Sequence, residues 1–485
     1  MQSKKIAAMK KNIFIILGCF SLAGCMLGPK KDLPSTAFSP EYIEKSSVTT
    51  SEENTEVLWW KQFHDPTLNH LITIALEENF DLKMAREKVL ELRANYRMES
   101  ADLWPSINTF GSAVRLKKPQ NILGVPTIGN PYQNFYVLGF DASWEIDFFG
   151  QNRSAKQAAY FNVLASEDNI HSTQVTVVSE VARLYTDIRT TQQRIYALEK
   201  KIKVQKKILF LAKTLTKSGL SDEVSLQAEM AEAAAYKSEL PTLKSSLKNS
   251  IYQLTFLLGK SPGEISSVLE KRKPIPVAFG KIPIGLPSDL LRRRPDIRSA
   301  EKHYFASCSK VGEARAALFP NISLTAALAG ASAQWNNIFS KASELWFVWP
   351  TVNWNIFQGW KQIANVKVQK SKQRQALISY EQAIAQALTD VESSLSAYAE
   401  EFITFSELQK QLVSKKKICE LNKLLVQSGL EDQKKRLKAL KDFYSIQDAY
   451  FQSKERYMAN LISVYKALGG GWDDSELKDE SVARG

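Results

Sequence analysis

The sequence is short of the residues that most often carry chemistry. Four cysteines occur in 485 residues (Cys19, Cys25, Cys308 and Cys419), which excludes a disulfide framework and leaves Cys308 and Cys419 as packing residues. Four histidines, His64, His70, His171 and His303, lack the spacing of the common zinc motifs, so no metal site is expected. No segment brings a nucleophile, a base and an orienting carboxylate together, and an enzyme is not expected. Gly259-Lys260-Ser261 ends like a phosphate-binding loop, but Leu254 stands where its first glycine belongs and Pro262 follows, against a nucleotide site. Long hydrophobic runs are missing too. Ile13-Phe14-Ile15-Ile16-Leu17 is too short to span a bilayer, and no later stretch is apolar enough for a transmembrane helix. The formal charge is +13, with Lys4, Lys5, Lys10 and Lys11 near the N-terminus and the remaining lysines scattered along helical stretches without interleaved aromatics. That pattern argues against a nucleic-acid partner, although Arg292-Arg293-Arg294 by itself looks like a basic patch.

What is present begins with a leader. Lys10-Lys11 precede the short apolar run, and Leu22-Ala23-Gly24-Cys25 matches the bacterial lipoprotein cleavage box. The reading is a signal peptide over 1–24 and a covalent diacylglyceryl and palmitoyl lipid on Cys25, with no other cofactor. Met26 stands where an aspartate would retain a lipoprotein in the inner membrane, so the lipid is assigned to the outer membrane. Met9 is a second candidate start. Residues 25–58, rich in Pro, Ser, Thr and Glu, read as a lipidated extended tether, and 473–485 as a polar tail.

The rest of the chain repeats itself. Ser218-Gly219-Leu220 returns as Ser428-Gly429-Leu430, and Leu258-Gly259 as Leu468-Gly469, both 210 residues on. Leu103-Trp104-Pro105-Ser106-Ile107 returns as Leu318-Phe319-Pro320-Asn321-Ile322, 215 residues on. Trp144-x-Ile146 with Gly150 returns as Trp354-x-Ile356 with Gly359. Solenoid repeats run ~20–50 residues, so this is a tandem duplication of one long unit. The expected domains are a first repeat over 59–285 and a second over 286–472. Each would hold a helix, a β-hairpin and a long helical hairpin.

Two periods alternate within each repeat. Residues 65–103 read as helical, opening at the cap Asp65 with Pro66 at the first helical position. In 136–147 the even positions are apolar (Tyr136, Leu138, Phe140, Ala142, Trp144, Ile146), the period of a strand with one apolar face. Residues 321–328 alternate likewise, and 106–116 and 345–356 more weakly. Trp104, Tyr132, Trp144, Trp346, Trp349 and Trp354 fall near strand ends, as an interfacial aromatic girdle would, with a soluble half-buried sheet as the alternative. Gln151–Lys217 and Trp360–Ser428 contain no Gly or Pro over 67 and 69 residues. Each would make a helix about 100 Å long, a length that means coiled coil. Val181, Leu184, Ile188, Ile195, Leu198, Ile202 and Leu209 give a gapped heptad seam. A second helix runs back after each Ser-Gly-Leu, over 222–258 and 433–467, the first interrupted by Pro241.

Four strands cannot close a barrel, which takes about eight or more, and open edges are not tolerated in lipid. Other copies must complete it. Two copies would leave an interior filled by side chains; three give twelve strands and room for a channel.

At this point the chain resembles the TolC-type outer-membrane efflux proteins, in their lipoprotein (OprM/NodT-like) branch. The resemblance rests on Trp60-Lys61-Gln62-Phe63 with Asp65-Pro66-x-Leu68, on Leu71-Ile72 through Asp81-Leu82, and on Trp144-Glu145-Ile146-Asp147-Phe148-Phe149-Gly150. It is most specific at Leu286-Pro287-Ser288-Asp289-Leu290-Leu291-x-Arg293-Arg294-Pro295-Asp296-Ile297, continuing to Phe319-Pro320-x-Ile322-x-Leu324-Thr325 and ending at Tyr465 to Trp472. It implies a mainly α fold with a small membrane β part: a homotrimer with a twelve-stranded β-barrel in the outer membrane, continued by a long α-helical coiled-coil barrel in the periplasm. It implies a passive exit duct served by a periplasmic adaptor (membrane-fusion) protein and, indirectly, an inner-membrane pump. The adaptor would dock at the helical tips, Ser218, Gly219, Leu220, Ser428, Gly429 and Leu430. Family channels close at those tips, often with carboxylates, and the candidate gate is Asp222, Glu223, Glu431 and Asp432. Gln433-Lys434-Lys435-Arg436 departs from the usual apolar positions there and suggests a salt-bridged lock onto Asp432. The alternatives are a lipid-anchored coiled-coil scaffold without a pore and a channel for type I protein secretion.

Overall fold

The structure is a computed structural model of the 485-residue chain. It describes residues 28–33, 42–44, 49–50, 58–117, 121–122, 125–126, 130, 132–278, 282–285 and 287–472. The expected signal peptide, the lipidation site Cys25, most of the tether and the 473–485 tail lie outside these residues. The main elements, in chain order, are α1 (Pro66–Glu78), α2 (Phe80–Ala101), β1 (Ser106–Lys117), β2 (Tyr132–Ile146), α3 (Gln151–Lys217), α4 (Glu223–Leu257), α5 (Pro295–Ala316), β3 (Asn321–Ser332), β4 (Glu344–Asn353), α6 (Lys361–Gln427) and α7 (Gln433–Ala467). Most of the described chain is helical. The duplication is exact in length for three element pairs: α2 and α5 have 22 residues, α3 and α6 have 67, α4 and α7 have 35.

The chain divides into two compact units, the first of Met1–Pro34, Val89–Ser166 and Ala300–Tyr380. It holds the four expected strands as one antiparallel sheet in the order β1-β2-β3-β4. The register puts Ala142, Phe140 and Leu138 of β2 beside Ala326, Leu328 and Gly330 of β3, and those in turn beside Val348, Trp346 and Glu344 of β4. The even-numbered apolar positions therefore share one face across three strands, and Phe140, Leu328, Trp346 and Val348 on it are exposed. Trp349 sits in mid-strand on the opposite face from Trp346, not at a strand end. Trp144 and Trp354 use their indoles structurally: each Nε1 donates to a main-chain carbonyl, of Leu103 at 3.0 Å and Leu318 at 3.1 Å. The repeat is thus visible in hydrogen bonds as well as in sequence. Cys308 is buried here, its Sγ 3.3 Å from Gln373 Nε2.

The second unit comprises Ser35–Lys88, Glu167–Ser299 and Glu381–Gly485. Trp59, 0% exposed, stacks on Tyr465 with ring centroids 5.2 Å apart, and the Tyr465 hydroxyl donates to Gln62 Oε1 at 2.8 Å. Asp65 caps α1 by accepting from Thr67 N at 2.8 Å and Leu68 N at 3.3 Å, while its other oxygen takes the Tyr185 hydroxyl of α3 at 2.6 Å. Arg294, just before α5, is buried. Its guanidinium reaches Asp296 at 2.7 Å, Asp390 at 3.2 Å and the Ala467 carbonyl at 3.1 Å, and Trp472 Nε1 donates to the Arg293 carbonyl at 3.1 Å. These two arginines tie α5, α6 and the end of α7 together.

Three further expectations change. The helix over 65–103 is two helices, because Asn79 ends α1, its Oδ1 caps Leu82 N at 3.0 Å, and its Nδ2 donates to the Leu257 carbonyl at 2.8 Å. Pro241 does not interrupt the returning helix; α4 runs through it, with Ala233 and Leu243 buried on either side. A proline removes one helical hydrogen bond at a cost of ~3 kcal/mol, which burial of apolar side chains along the same helix offsets. The heptad seam is buried at Val181, Leu184, Ile188 and Leu198, but farther along Val204 and Ile208 are buried against Leu437, and Leu209 is only half-buried. A straight helix drifts about 20° per heptad, so a strict seven-residue reading walks off the contact line.

One polar cluster crosses the helices of this unit. Ser250 of α4 donates to Asp187 of α3 at 2.5 Å, and Arg194 of α3 pairs with Asp448 of α7 at 2.8 Å. Between them Glu455 of α7 is pushed up to about 7, first by burial and then by the nearby Asp187 charge, against the favourable Arg194 and Arg183.

Two tests follow. Gly259 has φ +66° and any Cβ would stand 2.3 Å from the Glu78 carbonyl, whereas Gly219, φ +70°, has open space. Gly219→Ala should lower stability by about 1–2 kcal/mol for the left-handed backbone alone, and Gly259→Ala by roughly 1–3 kcal/mol more; equal losses in thermal melts would refute the close approach. The Glu455 carboxyl binds its proton more tightly folded than unfolded, so its contribution is present below pH 4.5 and is lost as pH rises through about 7. Glu455→Gln should flatten the melting-temperature profile over that window and raise the melting temperature at pH 8; an unchanged profile would remove Glu455 as its source.

Candidate functional site

The sequence singled out two chain reversals, and the structure builds them alike. At the end of α3, Gly219 N donates to Thr216 O at 3.0 Å and Leu220 N to Leu215 O at 2.9 Å. At the end of α6, Gly429 N donates to Val426 O at 3.2 Å and Leu430 N to Leu425 O at 2.9 Å. This paired bonding, with glycine at φ +70° and +72°, is the Schellman helix stop. Ser218 and Ser428 each return their hydroxyl to the carbonyl four residues back, at 3.0 and 3.1 Å. Leu220 and Leu430 are left 75% and 72% exposed, so each turn presents one large apolar side chain to solvent.

The four carboxylates proposed for a gate sit at the start of the returning helices. Asp222 is the N-cap of α4, accepting from Ser225 N at 2.5 Å and Ser225 Oγ at 3.1 Å. Those hydrogen bonds, chiefly the backbone one, hold its carboxyl below the usual aspartate range, and the Lys434 charge adds to the effect. Glu223 accepts from Gln227 Nε2 at 2.7 Å. Asp432 is the N-cap of α7, accepting from Lys435 N at 2.9 Å. The Lys435 ammonium pairs with Glu431. Within one chain the expected lock of the basic run onto Asp432 is therefore a Glu431–Lys435 pair, one helical turn apart, beside an aspartate engaged in capping.

Sequence reasoning missed the ion pairs within and between the helical hairpins. Lys441 of α7 pairs with Glu232 of α4 at 2.8 Å, and Glu232 also takes the Tyr236 hydroxyl. Lys415 of α6 stands 3.7 Å from Asp442 of α7. No spacing rule joins residues 209 apart such as Glu232 and Lys441; only the helix register does. Cys419 is half-buried and its Sγ donates to the Ala439 carbonyl at 3.2 Å. Among the described residues no group of three or more His, Cys, Asp or Glu could hold a metal ion, and no helix is long and apolar enough to cross a membrane.

Comparison with known proteins agrees with this geometry. The family model described as outer membrane efflux protein matches residues 71–260 and 286–470, once per repeat. The chain is 29% identical over 478 residues to a probable efflux pump outer membrane protein, TtgC, of Pseudomonas putida, covering 96% of each protein. It is 28% identical over 454 residues to the cation efflux system protein CusC of Escherichia coli K12, covering 93% of this chain and 97% of that one. Among solved structures, the outer-membrane channel OprN superposes with a TM-score of 0.84 at 30% identity, over 92% of this chain and all of the other. The open state of the Neisseria gonorrhoeae MtrE outer membrane channel gives 0.80 at 26% identity, over 92% of this chain and 98% of the other. With both repeats matched, and with its strands and helical turns built as the sequence required, the chain belongs to the outer membrane efflux protein family.

Proposed function

We propose that the chain is the outer-membrane exit duct of a tripartite efflux system, a homotrimer that conducts substrates passively. The observation that carries this is the open sheet. Among the described residues β1 and β4 are each hydrogen-bonded along one side only, and large apolar side chains stand exposed on the face that β2, β3 and β4 share. A lipid-facing sheet cannot keep such edges. Closure by three copies gives a twelve-stranded barrel, large enough for an aqueous path. The 67-residue helices α3 and α6 would continue it as a coiled-coil barrel. Cys25 would carry the lipid. An adaptor protein would dock at Ser218, Gly219 and Leu220 and at Ser428, Gly429 and Leu430, linking the duct to an inner-membrane pump that supplies the energy. Relatives named for an efflux pump and for cation efflux share this chain's length, which supports leaving cargo selection to the pump.

Asp222, Glu223, Glu431 and Asp432 are the proposed gate. The caps at Asp222 and Asp432 fix where the carboxylates stand, so charge and capping must be separated experimentally. Asparagine caps a helix about as well as aspartate.

The purified chain in mild detergent should run at three chain masses and form discrete conductances in planar bilayers; a monomer or dimer without conductance would end the duct reading. Asp432→Asn, which keeps the cap, should raise single-channel conductance. Asp432→Ala should do so with faster amide exchange over 433–436 as well. Unchanged conductance in both would remove Asp432 from the gate.

A further inference from the structure

We infer that the exposed apolar face of the sheet is a site for a phosphate-bearing lipid of the outer leaflet, its acyl chain under the loop after β3 and its phosphate between Arg115 and Lys117. The inference rests on the duct reading above and adds a membrane ligand to it. The loop 333–343 between β3 and β4 folds back over this face. A Cβ on Gly330 would overlap the Ile338 carbonyl, and Ile338 is 2% exposed, so the loop is pressed onto the strand. Beside that contact lies a cleft of about 460 Å³. Leu138, Phe140 and Leu328 line it from the sheet and Phe339 from the loop, with Lys341 and Glu344 as its charged residues. Apolar walls of this kind take hydrocarbon.

The cations stand farther along the same face. The antiparallel register sets Gly111 opposite Leu138, Arg115 opposite Asn134 and Lys117 opposite Tyr132. These are even steps along both strands, so Arg115 and Lys117 share the face of the cleft. They lie four and six residues beyond its Leu138 rung, roughly 14 and 20 Å. The hydrocarbon of one leaflet is half of a ~30 Å core. A lipid with its chain in the cleft therefore brings its phosphate to the level of the two cations. Arg115 Cζ and Lys117 Nζ stand 5.3 and 5.9 Å from the centroid of one ring, that of Tyr132. The ring gathers both charges by cation–π attraction, and a guanidinium beside an ammonium suits a phosphate. Between cleft and cations Trp335 meets Tyr136 edge-on, with centroids 5.9 Å apart. Such rings suit the boundary between hydrocarbon and headgroups.

The opposite end of the face is an internal control. Next to the helices it presents Ile107, Trp144, Ile146, Ile322, Leu324 and Val352, with aromatic and aliphatic side chains but no charge. On the strand positions of this face the only charged residues are Arg115, Lys117 and Glu344, all toward the far end. An aromatic girdle alone needs no such asymmetry. Cations at one end only, aligned with a cleft at chain depth, fit an anionic lipid of one leaflet.

The test uses the full chain in mild detergent and native mass spectrometry with added diphosphoryl lipid A or its dephosphorylated form. Wild type should retain lipid A, and the dephosphorylated form at least about tenfold more weakly. Arg115→Gln/Lys117→Gln should abolish that preference. Phe339→Asp, at a residue 83% exposed, should weaken both forms by putting a charge in the cleft. Lys361→Gln/Lys367→Gln, at exposed lysines away from the sheet, should change neither. Equal retention of both forms by wild type, retention of neither, or equal losses in the two cation variants would overturn the inference. Displacement of lipid A by millimolar inorganic phosphate would also overturn it, by assigning the cations to a soluble anion. Bilayer conductance on the same samples separates the two levels: a conducting channel without the lipid preference keeps the duct and removes the lipid site, and a chain that never conducts removes both.

Discussion

A strand edge is a row of amide and carbonyl groups with nothing to bond, and among the described residues the four-stranded sheet has two of them, on β1 and β4. In water the deficit is made good by solvent. In hydrocarbon each unpaired group costs several kcal/mol, so the rest of the design follows from how the edges are closed. The alternation along β2 and the apolar face it shares with β3 and β4 serve that one requirement, and the proposed trimer is the way to meet it.

The second principle is economy through duplication. Each repeat solves the same local problems with the same devices: an indole reaching back to the carbonyl before its hairpin, a glycine in the left-handed region to reverse a long helix, and an aspartate two residues after the exposed leucine to start the return. Where backbone geometry is at stake the two copies agree closely. Where side chains face outward they have diverged, most plainly in the sign of the charge after each reversal. The conserved part builds the frame, and the diverged part is free to recognise.

Much of this was legible in the sequence, for physical reasons. Sixty-seven residues without Gly or Pro leave little choice but helix, and period-two alternation leaves little but strand. Ser-Gly-Leu followed by aspartate announces a stop and a restart. What stayed hidden depends on partners far away in the chain. Asn79 divides a helix because the Leu257 carbonyl waits for its amide. Pro241 is tolerated because its helix is held from outside. Trp144 and Trp354 looked like interfacial aromatics, and their exposed rings are compatible with that, but their indole N–H groups are structural. The pairing of Lys441 with Glu232 needs α4 and α7 in register before the two become neighbours, and no pattern within either helix announces it.

The equal lengths of α3 and α6, and of α4 and α7, restrict how such a protein can change over evolutionary time. Deleting one residue from a single long helix would retract its reversal by 1.5 Å and rotate it by about 100°, while its counterpart stayed in place. Every cap, seam and ion pair beyond the deletion would face a new direction. Insertions and deletions in these helices are therefore tolerated only when they occur in both repeats together, or as whole turns. The helices act as paired rulers, and substitution is the main route left open for variation.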